Sequence, residues 1–452
     1  MIKRILVVAF TISMVGMVTY FVASLAKPSN PCNVSTPTNP RNMMHSTEDF
    51  CAYDFSMRMN EIDCLKSGIN PYVVWHQDVY HALYYPHNSD DLRTVTRNQP
   101  INAYTPWAYV YLYPLSFLHG HPIRWCIYYF FIVLCLLSIM AYSFRCGYIV
   151  RRNVFDGFVC LASSLLVAPA IRCDVFFGNF ALIISAGLIA MAISLNHRCD
   201  VIAGALLALV MVKPQIALLF VIPLLIDRRF KTVLIAALIC ILASIPPALL
   251  CHTSILDLIF QAPKASVHGF TSCALMPSAL SAWLNECLGL SIETILSVTA
   301  FVGMILCFIL SWMLRHHPNW LVRFSPCAIL SVSWTYQLMH SHCVVVIAII
   351  AMACEIIALK GKWQWRVFCL ISILLFAKVG CPVSIVVERF VSCIGDANGS
   401  LIGDIIRQTC SFLSVISIAI YAIVRRTKTT VPDVISLRAM GDVERGCCGP
   451  GC

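Results

Sequence analysis

The chain has 452 residues, of which 59% are hydrophobic and only 12% are charged, and its formal net charge is +10. Soluble globular proteins carry about 25% charged residues, so this composition excludes an ordinary soluble enzyme. It also excludes a disordered or fibrous protein, which would be polar or repetitive. Many hydrophobic runs have about 18–22 residues, the length with which a helix crosses a hydrocarbon core of about 30 Å. The sequence therefore predicts an all-α polytopic membrane protein.

The N-terminal part of the chain predicts one span followed by one large loop. Residues 5–26 are hydrophobic and follow Lys3 and Arg4. They are too long for a typical cleaved signal, so residues 1–26 are interpreted as a signal-anchor with a cytoplasmic N-terminus. The stretch 27–103 is polar, with several acids and many aromatic residues.

The rest of the chain predicts a multi-span domain. Hydrophobic runs follow at 122–143, 154–171, 177–195, 201–212, 214–226, 232–251, 292–314, 321–339, 343–359, 366–386 and 407–424. The expected organisation is an extracytoplasmic loop at 27–121, a transmembrane domain at 122–424 and a cytoplasmic tail at 425–452.

Basic residues fix the orientation of these spans, because positive charge concentrates in cytoplasmic loops. Twelve crossings with both termini inside place every basic cluster in the cytoplasm. Residues 104–118 must then lie at the outer interface without crossing. Residues 201–226 must cross twice, as two short helices broken at Lys213-Pro214. This orientation puts 172–176, Lys213 and 340–342 on the outer side. The clusters are Arg145/Arg151/Arg152, Arg198, Arg228/Arg229/Lys231, Arg315, Lys360/Lys362 and Arg425/Arg426/Lys428.

A cluster of acids in the outer loop is the first candidate for chemistry. It comprises Glu48, Asp49, Asp54, Glu61 and Asp63. A carboxylate near the membrane surface can act as a general base that deprotonates an attacking hydroxyl. By composition alone, a solvated loop face explains these acids better than a catalytic site does.

A series of short motifs extends from the outer loop into the membrane domain. The first is Asp54-Phe55, then Gly68 and Asn70-Pro71-Tyr72. The others are Tyr104-Thr105-Pro106 with Tyr113-Pro114-Leu115, Gly178-Asn179, Ala203-Gly204 with Lys213-Pro214, and Ser333-Trp334 with His340 and His342. In this order they resemble the motifs of glycosyltransferase family 87, which uses polyprenyl-phosphate sugars and belongs to the membrane-embedded glycosyltransferase C superfamily. Compared with that family, Asn70 replaces the usual Asp, Thr105 replaces the usual Pro, and the histidines are displaced.

This resemblance implies a glycosyltransferase C-like fold with about twelve transmembrane helices and an inverting transfer at the outer face. The donor would be a polyprenyl-phosphate sugar, with mannose expected, and the acceptor a glycolipid, glycan or protein. Asp54 would be the general base, with Glu48 and Asp49 in reserve. Tyr72 and Asn179 are expected to contact donor or acceptor.

A departing phosphate requires positive charge and hydrogen-bond donors. Lys213, at the break between two short helices, is one candidate, because a Lys at membrane depth is costly without a partner. Snorkelling to the interface is the alternative. Arg172 is the second candidate, in the expected outer turn at 172–176, where a local ion pair with Asp174 is the alternative. His340 and His342 are expected to contact the acceptor or donor.

The sequence also gives expectations for the aromatic run, for cofactors and partners, and for the location of the protein. The aromatic run from Tyr104 to Tyr113 is expected to be an interface belt, with a sugar-stacking face as the alternative. No cofactor is required and no metal site is predicted, although Glu48, Asp49 and Asp54 leave a divalent cation open. The membrane lipids are expected partners and nucleic acid is not. A multi-pass protein of the bacterial inner membrane is expected.

Two other functions compete with the enzyme. A secondary transporter or lipid flippase would explain twelve spans, but not the acidic and aromatic outer loop or the scarcity of intramembrane carboxylates. A membrane scaffold would predict no converging polar groups on the outer side.

Overall fold

The computed structural model describes residues 53–66, 68, 70–72, 104–118, 123–262, 292–333, 339–358, 363–376, 409–410 and 413–424. For Asp54 and His340 it describes the backbone only. Glu48 and Asp49 lie outside this part of the chain, as do the expected signal-anchor and the cytoplasmic tail.

All regular structure within the described ranges is helical, as the sequence predicts. The first half of the chain contains α1 (Tyr53–Lys66), α2 (Pro106–Ser116), α3 (Ile123–Arg151), α4 (Val154–Ser164), α5 (Ala168–Phe177), α6 (Ala181–Asn196), α7 (Asp200–Val210), α8 (Pro214–Ala217), α9 (Val221–Ile226) and α10 (Phe230–Leu250). The second half contains α11 (255–262), α12 (Ile292–Met313), α13 (Trp320–Ser333), α14 (Val346–Ala358), α15 (Trp363–Phe376) and α16 (Leu413–Val424). Three 3-10 turns, Leu165–Val167, Leu218–Phe220 and Met339–Val345, join neighbouring helices.

Each hydrophobic run predicted after the polar stretch contains one of these helices. Within the described residues, four helices are long and apolar enough to cross a membrane: Ile123–Arg151, Val154–Phe176, Phe230–Leu250 and Ser341–Ala358. The other apolar helices there have 10–17 residues. The total of twelve crossings stays a prediction.

The burial of these long helices shows where the core lies. The most apolar window of Ser341–Ala358 is 94% buried, whereas that of α3 is only 22% buried and that of α10 is 28% buried. The exposed side chains of α3 and α10 are large and apolar, as expected for surfaces that face lipid. Thus α14 is the central helix, and α3 and α10 are peripheral.

Residues 200–226 form a hairpin, which brings both ends of the segment to one side of the bundle. Arg229, which follows the hairpin, pairs with Asp200 at its start at 3.3 Å. The limbs have 11 and 13 residues and rise about 16 Å and 20 Å. Both limbs are shorter than the hydrocarbon core of about 30 Å that a straight helix would have to span, and the two crossings of residues 201–226 stay a prediction. A hairpin that enters and leaves on one side preserves the predicted orientation of every later helix.

Two sequence features shape the hairpin. Gly204 allows α7 to approach α10 closely, because a Cβ at this position would lie 2.8 Å from the carbonyl oxygen of Thr232. Pro223 has no N–H and so cannot bond to the carbonyl of Leu219 four residues earlier. Two buried thiols satisfy that carbonyl instead, since the Sγ atoms of Cys307 and Cys327 lie 3.8 Å and 3.4 Å from it.

Two expectations about the outer side need correction. Residues 172–176 were expected to form an outer turn, but they continue α5, which ends at Phe177. The turn lies at Gly178-Asn179, because Gly178 adopts a left-handed conformation with φ of 68° and the Asn179 N–H bonds back to the Asp174 carbonyl at 2.9 Å.

The aromatic run of α2 is also not a simple interface belt. Trp107 and Tyr109 are buried inside the protein, as is Tyr104 just before the helix. Helix α2 packs against α1 and α10. It has 11 residues and rises about 16 Å, and its predicted position at the outer interface without a crossing stays a prediction.

Candidate functional site

Lys213 lies at the tip of the hairpin and is only 5% exposed. Its position follows from the sequence, because Pro214 starts a new helix and the residue before a proline is disfavoured in a helical conformation. The ammonium group does not snorkel to a surface. Its Nζ donates a hydrogen bond to Oδ1 of Asn179 and lies 5.7 Å from the ring centroid of Tyr104.

Asn179 reaches Lys213 because the turn after α5 is held rigidly. The buried carboxylate of Asp174 accepts hydrogen bonds from the N–H groups of Ala181 and Leu182 at 3.0 Å and 2.9 Å. It therefore caps the first turn of α6. The Asn179 carbonyl accepts from the hydroxyl of Tyr128 at 2.6 Å. These bonds assign Asp174 a structural role in orienting the amide that holds Lys213.

Tyr104 is the junction between the outer loop and the hairpin. The guanidinium of Arg58 lies 4.6 Å from the same ring that Lys213 approaches. The carbonyl of Tyr104 accepts from the hydroxyl of Tyr72 at 2.5 Å. The next residue, Thr105, points its hydroxyl at the carbonyl of Val212 at 3.5 Å. Two cations from distant parts of the chain therefore flank one aromatic ring, as cation–π contacts.

Arg58 is also part of a buried ion pair. Its Nη1 lies 2.7 Å and 2.8 Å from the two carboxylate oxygens of Glu61, one turn later in α1. The hydroxyl of Tyr109 donates to the same carboxylate at 3.0 Å. Burial, and then the negative charge of Glu61, raise the pKa of Tyr109 and of Tyr72 well above the usual value near 10. Both tyrosines therefore stay neutral hydrogen-bond donors at physiological pH.

The segment Asn70-Pro71-Tyr72 forms a turn against α11. Oδ1 of Asn70 accepts from the N–H of Tyr72 at 2.9 Å, and its Nδ2 donates to Gln261 at 2.8 Å. The first bond needs only a side-chain oxygen, so Asn70 can do at this turn what an Asp would do. The amide then adds a donor that a carboxylate lacks, which explains how this chain tolerates the departure from the family pattern.

Helix α1 is anchored to the N-terminal ends of α3 and α6 through Phe55. Its fully buried ring lies 5.0 Å from the ring centroids of Trp125 and of Tyr128, and 6.2 Å from that of Phe180. Asp54 precedes Phe55 in the first turn of α1, and Arg58 follows Asp54 by one turn. The helix that carries Asp54 thus packs directly beside the Asn179 turn.

The other predicted residues fall in two places. His342 is buried in the 3-10 turn Met339–Val345, which packs against α5 and α6. Arg172 is exposed on α5, and its role stays a prediction.

The structure therefore brings together three residues of the sequence-based set, Tyr72, Asn179 and Lys213. Four further residues contact them or one another, and sequence reasoning missed these contacts. They are Arg58, Glu61, Tyr104 and Tyr109. We call Arg58, Tyr72, Tyr104, Asn179 and Lys213 the Tyr104 cluster. Arg58 and Glu61 had one local signal, because oppositely charged residues three apart in a helix can pair. Nothing in the sequence indicated that Tyr104 joins them to Lys213.

Comparison with known proteins gives one match. The model of "Glycosyltransferase family 87" matches residues 102–377, more than half of the chain. This range includes Tyr104, Asn179, Lys213 and His342. No curated protein and no solved structure matches the chain.

Proposed function

The chain belongs to glycosyltransferase family 87 and is a membrane glycosyltransferase, and we propose that it transfers mannose from a polyprenyl-phosphate donor to an acceptor hydroxyl at the extracytoplasmic face. The acceptor is a glycolipid, a glycan or a protein. The proposal places the enzyme in the bacterial inner membrane with both termini in the cytoplasm.

The observation that carries this proposal is the position of Lys213. It is a buried cation at the tip of the hairpin, beside the Tyr104 ring that also contacts Arg58 of the helix bearing Asp54. The proposal places this tip within the membrane thickness. A lipid-linked phosphate needs a cation at that depth, because its polyprenyl chain stays in the bilayer while its sugar reaches the outer surface. Buried, fixed donors stabilise developing charge more strongly than solvated ones.

In the proposed reaction the acceptor oxygen attacks the anomeric carbon of the donor. Asp54 takes the proton of the acceptor hydroxyl, and the bond between the anomeric carbon and the phosphate oxygen breaks on the opposite face. Inversion follows from this single displacement. Lys213 and Arg172 stabilise the negative charge on the polyprenyl phosphate that departs.

The other residues have supporting parts in this proposal. Asn179 holds the ammonium of Lys213 by the observed hydrogen bond. Tyr72, His340 and His342 contact the donor or acceptor, and Glu48 and Asp49 are the reserve bases. This mechanism requires no metal ion, and a divalent cation held by Glu48, Asp49 and Asp54 stays the alternative.

Purified protein in vesicles with labelled polyprenyl-phosphate mannose and membrane acceptors tests this proposal. We expect the parent to form labelled product and Asp54→Asn to lose at least about 100-fold in rate, since a base contributes roughly 10²–10⁴-fold. The matched control is Asp257→Asn, because Asp257 is an exposed acid in α11, and it should keep the parental rate.

Three outcomes would contradict parts of the proposal. Transfer by Asp54→Asn at the parental rate would remove Asp54 from its role. Transfer only from another class of donor would reject the polyprenyl-phosphate mannose. Solute uptake without any sugar transfer would favour the transporter instead.

A further inference from the structure

Arg58 is a buried cation for which the proposed reaction has no direct use. It is 2% exposed, and its guanidinium is held between the Glu61 carboxylate and the Tyr104 ring. Removing such a pair from water costs several kcal/mol per ion, and well-packed hydrophobic residues would stabilise the fold as well or better. A contribution to stability therefore does not explain the pair.

The geometry of the pair shows what it connects. Arg58 and Glu61 belong to α1, Tyr109 belongs to α2, and Tyr104 precedes α2. The ring of Tyr104 also lies beside Lys213 at the hairpin tip. The guanidinium of Arg58 thus connects α1 to Tyr104, and Tyr104 in turn contacts Lys213.

We infer that Arg58 is a positioning residue, which fixes α1, the helix bearing Asp54, in register with Lys213 through the Tyr104 ring. This inference rests on the proposed function, in which Asp54 and Lys213 act on opposite sides of the bond that breaks. Small displacements between two reacting groups are costly, because an error of 1 Å can lower a rate about 100-fold. Arg58 itself does not touch the reacting atoms.

A guanidinium suits this task better than an ammonium. Its plane lies over the face of an aromatic ring while its N–H edge reaches a carboxylate, and it does both at once. A Lys at position 58 would keep the charge but could not hold Tyr104 and Glu61 together. The variant Arg58→Lys therefore separates geometry from charge.

The test measures kcat and KM for the donor in two variants and, as described below, in one matched control. For Arg58→Lys we expect kcat to fall roughly 10- to 100-fold while KM for the donor changes less than about threefold. The double variant Arg58→Met/Glu61→Met removes both charges and leaves no unpaired ion, so it should stay folded and show the same loss. Thermal unfolding of both variants confirms that the loss is not a loss of folded protein.

The matched control lies at the opposite end of the molecule. Arg323 has the same arrangement, since its guanidinium lies 4.5 Å from the Trp320 ring and 3.0 Å from the Asp227 carboxylate. It is far in the fold from the Tyr104 cluster. We expect Arg323→Lys to keep the parental kcat and KM.

A second measurement does not depend on the donor. We expect the backbone amides of α1 and of the hairpin tip to exchange hydrogen faster in Arg58→Lys than in the parent. The free energy of global unfolding should be the same in both proteins.

The outcomes separate this inference from the proposed function. If the parent uses another glycosyl donor, the proposed donor is wrong, but the same variants are measured with the donor that it uses. A folded double variant with the parental kcat and unchanged exchange in α1 would overturn the inference. A rise in KM at constant kcat would also overturn it, because Arg58 would then bind the donor directly.

Discussion

The two ends of the hairpin 200–226, named inner and outer after the predicted orientation, are both polar, but they are built from different parts of the chain. At the inner end Arg229 pairs with Asp200 and Asp227, each at 3.3 Å, and Thr232 donates to Asp200 at 3.0 Å. These residues lie within a few positions of the ends of the hairpin, and one further partner of Asp227, Arg323 at 3.0 Å, comes from the distant helix α13. At the outer end Lys213 meets Asn179 and Tyr104, which come from segments far away in sequence.

This difference separates a structural cluster from a functional one. The inner carboxylates and guanidinium groups are partly exposed and neutralise one another, as expected of ion pairs that close a hairpin. At the outer end, buried cations are placed around an aromatic ring by several independent segments. These contacts contribute little to closing the hairpin, so we interpret their role as holding the ammonium group of Lys213 in place.

The largest expected effect would come from Lys213. Replacing it by Met removes the cation but keeps most of the volume, and we expect kcat to fall about 100- to 1000-fold, as for loss of one charge-stabilising donor. The measurement is the initial rate with the donor that the parent uses. Lys231→Met, which removes an exposed cation at the inner end, should leave the rate unchanged. Equal losses in both variants would break the comparison between the two ends.

A smaller effect is expected between the two ends, at Leu219. The double variant Cys307→Ala/Cys327→Ala removes both thiols from a carbonyl whose usual helical donor, four residues later, is missing because Pro223 has no N–H. We expect a loss of about 1–2 kcal/mol in the free energy of unfolding, near the lower end of the cost of an unsatisfied buried polar group, since the N–H of Val221 still reaches this carbonyl. The Cys307→Ser/Cys327→Ser variant keeps a donor and should lose less. Unfolding in detergent measures both, and equal losses would reject this role for the thiols.

The inner end should respond more weakly. We expect Arg229→Met to lower the free energy of unfolding by about 1 kcal/mol, because its ion pairs are partly exposed and screened. The rate per folded molecule should stay at the parental value. A large loss of kcat in the folded variant would show that the inner cluster also acts on the site, and the contrast between the ends would fail.

The smallest effects are expected at two outer turns. His252 adopts a left-handed conformation with φ of 51°, so His252→Gly should stabilise the fold by about 0.5–1 kcal/mol. Gly178 has φ of 68°, so Gly178→Ala should destabilise by about 1 kcal/mol. Only the second change displaces Asn179 and should also lower kcat. An unchanged kcat in Gly178→Ala would show that the turn does not position Lys213.

Much of the fold was predictable because it depends on local patterns. Hydrophobic runs predicted the positions of the helices, and Lys213-Pro214 predicted the break in the hairpin. The boundary at 172–176 was wrong, because α5 stays helical until Gly178 ends it with a left-handed residue. The burial of Tyr104 and Tyr109 was not predictable either, since an aromatic run fits both a membrane interface and a protein core.

The candidate site shows the same division. Motif resemblance selected Asn179 and Lys213 separately, and the match to glycosyltransferase family 87 confirms the family. It did not select Arg58 or Glu61, whose roles depend on which ring and which helix they meet. Cation–π contacts leave no periodic pattern in a sequence.

The sequence by itself determined that this protein is a helical membrane protein of a glycosyltransferase family, because hydrophobic length and short motifs are local properties. The tertiary structure alone decided that Arg58 and Lys213 both contact the ring of Tyr104. The physical reason is that burial brings together residues far apart in the chain. A buried charge is tolerated only where the packing of several segments provides its partners.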